Sequence, residues 1–124
     1  MAGTRRESGG TSERLILDSG AVIALARGDA RARAFLARSV EATSTVEIPV
    51  VVVAETLRGG PRDAPVNRVL KAIGFVPEAQ EAHGRIAGRL LGVARSASTV
   101  DALVVAQAIE GGGGHILTGD RDDL

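Results

Sequence analysis

Apolar residues along the chain follow two patterns, short continuous runs and longer stretches in which they recur every three or four positions. The first pattern predicts strands and the second predicts helices. The predicted strands are residues 14–18, 47–50, 74–77 and 115–118, and the predicted helices are residues 21–27, 31–41, 64–73, 78–95 and 98–110. Strands that alternate with helices indicate a parallel sheet covered by helices on both faces.

Residues 50–58 have a pattern that supports two structures. Four consecutive valines favour a strand by propensity. A helix that starts after Pro49 would instead place Val51, Glu55 and Arg58 on one side and the other apolar residues on the opposite side. From the residues alone, the strand is the favoured interpretation.

Glycine and apolar patterns support four more predictions. Residues 103–109 are apolar on nearly every side of the last helix, which predicts burial on most of its faces, and residues 115–118 have the apolar character of an interior strand. Gly84, Gly88 and Gly92 permit close packing against another helix of the chain or against a second copy. Residues 111–114 predict a helix C-cap and a tight turn, because a phosphate-binding loop would follow a strand and precede a helix.

Composition narrows the class of protein. The 124 residues suffice for one domain, and the small, polar, glycine-rich residues 1–13 predict a disordered leader before a domain at 14–124. The absence of cysteine excludes disulfides and thiolate metal sites. Two phenylalanines and no Trp or Tyr argue against an aromatic base-stacking surface.

Charge and hydropathy indicate where such a protein works. The formal net charge is zero, which argues against a protein that coats polyanions without selectivity. No run approaches the length of a membrane span, and the N-terminus lacks the apolar centre of a signal peptide. The sequence therefore predicts a soluble, cytoplasmic protein.

Carboxylates are the candidate metal-binding and catalytic groups of this sequence. Asp18 follows the first predicted strand and Asp120 the last, and the carboxyl ends of parallel strands meet at one edge of a sheet. Asp101 opens the last helix, and Glu55 stands among apolar residues. Charged groups in apolar segments are costly unless they are paired, capped or bound to a cation. A shared cation is therefore indicated, and an all-oxygen set of ligands suits Mg²⁺ or Mn²⁺.

Each of these acids also has a structural interpretation. Asp18 can cap the helix that follows it, Ser98 and Asp101 fit a capping box, and Glu55 can pair with Arg58. The acids at 120, 122 and 123 can form an acidic turn. The two histidines, His83 and His115, have the surroundings of packing or surface residues rather than catalytic ones.

Four segments of the chain, in order, resemble the motifs of the PIN-domain family, and most closely its small VapC-type toxin ribonucleases. The segments are residues 15–25, 48–59, 99–108 and 116–124, and they contain Asp18, Glu55, Asp101 and Asp120 in that order. In the second family motif a proline precedes an apolar helix that bears the glutamate. The resemblance therefore implies a helix, not a strand, after Pro49.

The resemblance implies an α/β fold, a small parallel sheet flanked by helices in the PIN-like α/β/α arrangement. It implies that Asp18, Glu55, Asp101 and Asp120 bind Mg²⁺ or Mn²⁺ and are catalytic, with Asp123 as a weaker auxiliary ligand. Ser19 and Thr118 would hydrogen-bond ligands. The family's fold usually continues into a further strand after the fourth motif, so either this sequence is truncated at Leu124 or its sheet lacks that last strand.

The activity implied by the resemblance is metal-dependent hydrolysis of RNA by the toxin of a toxin–antitoxin pair, which forms a homodimer and is silenced by a cognate antitoxin protein. Arg27, Arg58 and Arg121 are candidate phosphate contacts, with solvated surface charges as the alternative. Two other functions remain open: a non-catalytic α/β binding module, and a metal-dependent phosphohydrolase that acts on small phosphate esters.

Overall fold

The computed structural model of the chain describes residues 14–42, 45–94 and 98–119. Within these ranges the chain forms three β-strands and six α-helices. The strands are β1 (Arg14–Leu17), β2 (Thr45–Glu47) and β3 (His115–Leu117). The helices are α1 (Ser19–Ala26), α2 (Ala30–Ala42), α3 (Val50–Thr56), α4 (Ala64–Ala72), α5 (Glu81–Val93) and α6 (Thr99–Glu110). The predicted leader at 1–13 lies outside the described residues.

The strands form one parallel sheet in the order β2-β1-β3. In the central strand, Leu15, Ile16 and Leu17 are fully buried, as expected for a strand covered on both faces. Leu15 is paired with Val46 of β2 on one side and with His115 of β3 on the other. The predicted architecture, a small parallel sheet flanked by helices, is confirmed.

The helices take part in two hydrophobic cores, a main core around the sheet and a smaller core between α5 and α6. Helix α1 contacts α3 and α4, and α3 in turn contacts α6, so the main core joins β1 to these four helices. Helix α5 lies against α6, where Ala87, Ala102 and Ala106 form a smaller core. Helix α1 thus packs against α3, and α3 packs against α6. These three helices carry the candidate site residues: residues 18–19 stand at the start of α1, residue 55 in α3 and residue 101 in α6.

Helix α3 confirms the expectation drawn from the family resemblance, and the strand favoured by valine propensity is wrong. Pro49 is the N-cap in an extended conformation, and the helix runs from Val50 to Thr56 with Val52 fully buried. Burial of one helical face against α1 and α6 outweighs the modest β-propensity of valine, which is itself largely a packing effect.

Three predictions about the sheet and the last helix need correction. Residues 74–77 form no strand, only an isolated bridge in which Phe75 exchanges backbone hydrogen bonds with Val46 and Ile48. Phe75 is 57% exposed, so a longer strand would bury little apolar surface there. Within the described residues β3 lies at an edge of the sheet rather than in its interior, and α6 leaves Val105 and Ile109 exposed.

The glycines of α5 do not mediate packing within the described part of the chain. A Cβ atom at Gly84, Gly88 or Gly92 would meet open space, so the predicted packing against another helix of the chain is wrong for these positions. Contact with α6 is made instead by a neighbouring face of α5, which includes the buried His83 and Ala87.

The glycines at 111–114 confirm the predicted C-cap and turn. Gly111 caps α6 with its N–H on the carbonyl of Gln107, and Gly112, Gly113 and Gly114 all have positive φ. Residues with a Cβ rarely adopt this conformation. The turn reverses the chain within four residues and places β3 directly beside β1.

A buried polar network that the sequence did not reveal connects β1, β2 and α6. The Arg14 guanidinium donates two hydrogen bonds of 2.9 Å to the Glu47 carboxylate, and Gln107 Nε2 donates a third of 3.1 Å to Glu47 Oε1. Arg14 also donates to backbone carbonyls at the end of α6, those of Gln107, Ala108 and Gly113. The hydrogen bonds from Arg14 lower the pKa of Glu47 against the opposing effect of burial.

The histidines have the structural surroundings that their sequence context predicts. His83 is 6% exposed, and its Nε2 lies 3.2 Å from Oε1 of Glu110. Its Nδ1 accepts a hydrogen bond from the Gln80 N–H, so the start of α5 is connected to the end of α6. His115 lies exposed in β3.

In the described residues, no helix has both the length and the apolar character that crossing a bilayer demands.

Candidate active site

Asp18 stands where β1 ends and α1 begins. Its Oδ1 accepts hydrogen bonds from the backbone N–H groups of Ala21, at 2.9 Å, and Gly119, at 3.3 Å. Its own N–H donates to the carbonyl of Leu117, which joins the carboxyl ends of β1 and β3. Oδ2 makes no hydrogen bond to a described residue. The predicted capping role is confirmed, and it leaves one carboxylate oxygen for a ligand.

Close backbone contact holds the chain after β3 beside the start of α1. A Cβ atom at Gly20 would lie 3.1 Å from Cα and N of Gly119, and a Cβ atom at Gly119 would overlap the carbonyl group of Gly20. This contact brings the Gly119 N–H within reach of Asp18. The predicted meeting of strand ends at one edge of the sheet is therefore present for β1 and β3, although Asp120 itself lies outside the described residues.

We expect Gly119→Ala to lower the free energy of unfolding by about 2 kcal/mol, because the added methyl group overlaps backbone that cannot rotate away. The matched control is Gly88→Ala, a helical position where the methyl group meets open space. That variant should gain about 0.5–1 kcal/mol from the higher helix propensity of alanine. Urea unfolding of both variants measures the difference, and equal stabilities would contradict the close contact.

Glu55 is placed by its contact with α1 rather than by an arginine. The Ser19 hydroxyl donates a hydrogen bond to Glu55 Oε1. Arg58, the partner considered in the sequence, turns away, and its Nη1 donates to the carbonyls of Ala54 and Leu57. The interpretation of Glu55 as the partner of Arg58 is therefore wrong, and Ser19, the residue that follows Asp18, connects the carboxylate of α3 to the start of α1.

Asp101 lies in the first turn of α6, and its side chain is not used by the helix. Ser98 Oγ accepts the Asp101 N–H at 3.0 Å, which confirms Ser98 as the N-cap. The reciprocal bond of a capping box, from the Ser98 N–H to the Asp101 carboxylate, does not occur among the described residues. The Asp101 residue is exposed. The structure thus leaves this carboxylate open to solvent or to a ligand.

The three described candidate carboxylates share an electrostatic property. None forms an ion pair with a described residue, whereas Glu47, Glu81 and Glu110 lie beside Arg14, Arg85 and His83. Asp63, a further buried acid, is fully used by the backbone, since its oxygens accept the N–H groups of Arg58 and Gly59. Negative charge is therefore left unneutralised by basic side chains at Asp18, Glu55 and Asp101.

The donor chemistry of these residues fits a hard divalent cation. Carboxylate oxygens are the preferred protein ligands of Mg²⁺ and Mn²⁺, and Asp18 and Glu55 each retain an oxygen that accepts no hydrogen bond from a described residue. Within residues 14–42, 45–94 and 98–119, no three His, Asp or Glu side chains lie close enough together to hold a metal ion. The described carboxylates are thus a pair joined by Ser19, with Asp101 on the neighbouring helix.

Several predicted site residues are not part of that pair. Thr118 is exposed immediately after β3. Asp120, Arg121 and Asp123 lie outside the described residues. Arg27 is exposed at the end of α1, opposite the end that carries Asp18.

Gly20 and Gly119 shape the site, and the sequence analysis did not single them out. Each stands within two residues of a candidate acid, Gly20 after Asp18 and Gly119 before Asp120. Glycine beside both acids is the signal that would have indicated a close approach of two backbones there.

Comparison with models of known protein families gives a match. The sequence model of the PIN domain matches residues 15–124, nearly all of the chain. A search of curated protein sequences finds no significant match. Because this match covers nearly the whole chain, the chain belongs to the PIN-domain family.

Proposed function

We propose that this protein is a metal-dependent endoribonuclease that hydrolyses RNA phosphodiester bonds. PIN domains are typically nucleases and generally use divalent metal ions. One observation supports the proposal for this chain: Ser19, the residue after Asp18, donates a hydrogen bond to Glu55, and neither the Asp18 nor the Glu55 carboxylate is neutralised by a basic side chain among the described residues. Among the other described acids, Glu47, Glu81 and Glu110 are paired with basic side chains, and both oxygens of Asp63 accept backbone N–H groups.

The acidic residues share one role in this proposal, which is to bind the metal ion. Asp18, Glu55, Asp101 and Asp120 would hold Mg²⁺ or Mn²⁺, with Asp123 as an auxiliary ligand. Such a cation activates water and stabilises the charge that develops on phosphoryl oxygens. Asp18 is fixed by two backbone N–H groups, and Ser19 orients Glu55, so these two carboxylates are oriented before RNA binds. Pre-orientation of this kind lowers the cost of assembling the reactive geometry.

The proposal extends to the biological setting that the VapC-type resemblance implies. The enzyme would act in the cytoplasm as the toxin of a toxin–antitoxin pair, as a homodimer, and a cognate antitoxin protein would silence it. The unneutralised carboxylates suit such control, because a basic side chain of a partner could neutralise them. Co-expression with the product of an adjacent reading frame, followed by co-purification, tests this part separately.

The deciding experiment is cleavage of a mixed single-stranded RNA pool by the purified protein with Mg²⁺, with Mn²⁺ and with EDTA. We expect cleavage with either cation, none with EDTA, and a loss of at least about 100-fold in Asp101→Asn, because replacing even residues behind metal ligands costs 10–100-fold. The side chain of Asp101 makes no hydrogen bond to a described residue, so its amide analogue should fold normally.

Two outcomes would contradict the proposal. A folded protein that binds a partner but shows neither divalent-cation affinity nor cleavage of tRNA or ribosomal RNA would be a binding module. Preferential hydrolysis of a small ester such as p-nitrophenyl phosphate over RNA would identify a small-molecule phosphohydrolase. Glu81→Gln, on an exposed acid paired with Arg85, is the control variant and should cleave RNA like the parent protein.

A further inference from the structure

Charge is distributed unevenly over the surface of a protein whose formal net charge is zero. The segments 27–42 and 64–73, which include α2 and α4, contain six basic and two acidic residues. The basic residues are Arg27, Arg31, Arg33, Arg38, Arg68 and Lys71, and the acidic residues are Asp29 and Glu41. All of the basic residues are exposed. One side of the molecule is therefore locally positive.

A groove of about 840 Å³ runs between the end of α1, α2 and α4 on that side. We call it the basic groove. Its walls include three arginines and an apolar floor, namely Arg27, Arg33 and Arg68 with Leu36, Val40 and Ile73. None of the three arginines forms an ion pair with a described residue.

The turn between α1 and α2 lies beside one of these arginines, Arg33. Gly28 has φ +79, a conformation that favours glycine, and Nη2 of Arg33 lies 3.6 Å from the position of a Cβ atom there. Arg33 thus lies over the residue that follows Arg27. Asp29, the acid in this turn, caps α2 by accepting the Ala32 N–H with Oδ1, and it is not part of the groove lining. Glu41 contributes the only acidic side chain to the described groove lining.

The groove begins at the opposite end of the helix that carries Asp18. Asp18 is the N-cap of α1 and Arg27 is its C-cap, and a rise of 1.5 Å per residue separates them by about 13 Å. A polymer with one phosphodiester bond at Asp18 would reach the groove within a few nucleotides. A short acidic ligand confined to the groove would not also contact Asp18.

We propose that the basic groove binds the phosphate backbone of single-stranded RNA that flanks the bond at Asp18. This inference rests on the proposed ribonuclease function and names the surface that holds the substrate. The guanidinium groups offer bidentate contacts to phosphates, and the apolar floor accommodates bases that are unstacked in a single strand. Attraction at the groove would offset the repulsion between RNA and the carboxylates of the active site.

The test measures RNA affinity separately from cleavage. Asp101→Asn is combined with Arg33→Ala/Arg68→Ala, and binding of a labelled single-stranded RNA, long enough to extend from Asp18 into the groove, is followed by fluorescence anisotropy over a KCl series. For single strands each phosphate contact contributes about −0.7 to the slope of log affinity against log salt, so losing two should make the slope shallower by about 1.4. Arg85→Ala/Arg89→Ala, which removes two exposed arginines of α5, should leave the slope unchanged.

Further variants keep this inference separate from the proposed function. Arg33→Lys/Arg68→Lys retains both charges and should restore most of the slope. An unchanged slope in the alanine variant, with the parent protein still cleaving RNA, would overturn the proposal that the groove binds RNA. The proposed ribonuclease function would still stand. If the parent protein fails to cleave, the function fails, while the slope still reports on the groove. Binding of poly-glutamate that requires Arg33 and Arg68, without any effect on RNA, would assign the groove to an acidic protein segment instead.

Discussion

Asp18→Asn is expected to keep the fold and lose at least about 100-fold in RNA cleavage, whereas Asp18→Ala is expected to lose both stability and activity. Asparagine caps helices as well as aspartate does, so its side-chain oxygen can still accept the Ala21 and Gly119 N–H groups. It lacks the negative charge that a cation requires. Alanine removes the cap as well, at a cost of about 1 kcal/mol.

Two measurements on each variant separate these effects: kcat/KM for RNA cleavage with Mg²⁺, and the free energy of unfolding in urea. The matched control is Asp29→Asn, since Asp29 caps α2 through the same type of bond, to Ala32 N–H, and lies outside the candidate site. Asp29→Asn should leave kcat/KM close to the parental value and should change the free energy of unfolding by no more than a few tenths of a kcal/mol. If Asp18→Asn cleaved RNA at the parental rate, Asp18 would be a cap alone.

The parts of the fold that were predicted correctly are those whose signals are local. β1 is a short apolar run, and α1 begins at a carboxylate followed by small residues, so strand, cap and helix are adjacent in the sequence. The glycines at 111–114 indicate their own turn for the same reason. Ser98 was likewise identifiable as an N-cap from three residues of spacing.

The predictions that failed depend on contacts between distant residues. Residues 50–56 read as a strand until the partners of Val52 in the core are known, and residues 74–77 lack the neighbour that would extend a single bridge into a strand. The glycines of α5 suggest a packing face, yet α5 uses a neighbouring face against α6. Periodicity identifies the faces of a helix without saying which face is covered.

The candidate site shows the same division. The acids could be named from the sequence because each stands out within an apolar segment, and the family resemblance put them in order. The contact of Ser19 with Glu55, 36 positions away, and that of Asp18 with Gly119, 101 positions away, could not be inferred from spacing. These contacts orient the carboxylates, so the sequence predicts the chemical groups of the site, while their geometry comes from the packing of α1, α3 and β3.

Arg14→Ala should lower the free energy of unfolding by about 3 kcal/mol, because it leaves the Glu47 carboxylate buried without its basic partner. The side chains of Arg14 and Glu47 are only 16% and 10% exposed, so solvent cannot replace the lost partner. The substitution also removes the donors to the carbonyls of Gln107 and Ala108 at the end of α6. Urea unfolding at neutral pH measures the loss.

The dependence of that loss on pH identifies its cause. Arg14 lowers the pKa of folded Glu47, so the stability contributed by the pair is fully present above the unfolded pKa of about 4.3 and is lost as pH falls through the lower folded value. The difference between parent and Arg14→Ala should therefore shrink below about pH 4. In Arg14→Met/Glu47→Leu both charges are absent, so more than half of the loss should be recovered, and the pH dependence should disappear with it. A double variant no more stable than Arg14→Ala would show that the contacts of Arg14 with α6, rather than its pairing with Glu47, join the central strand to the helix that carries Asp101.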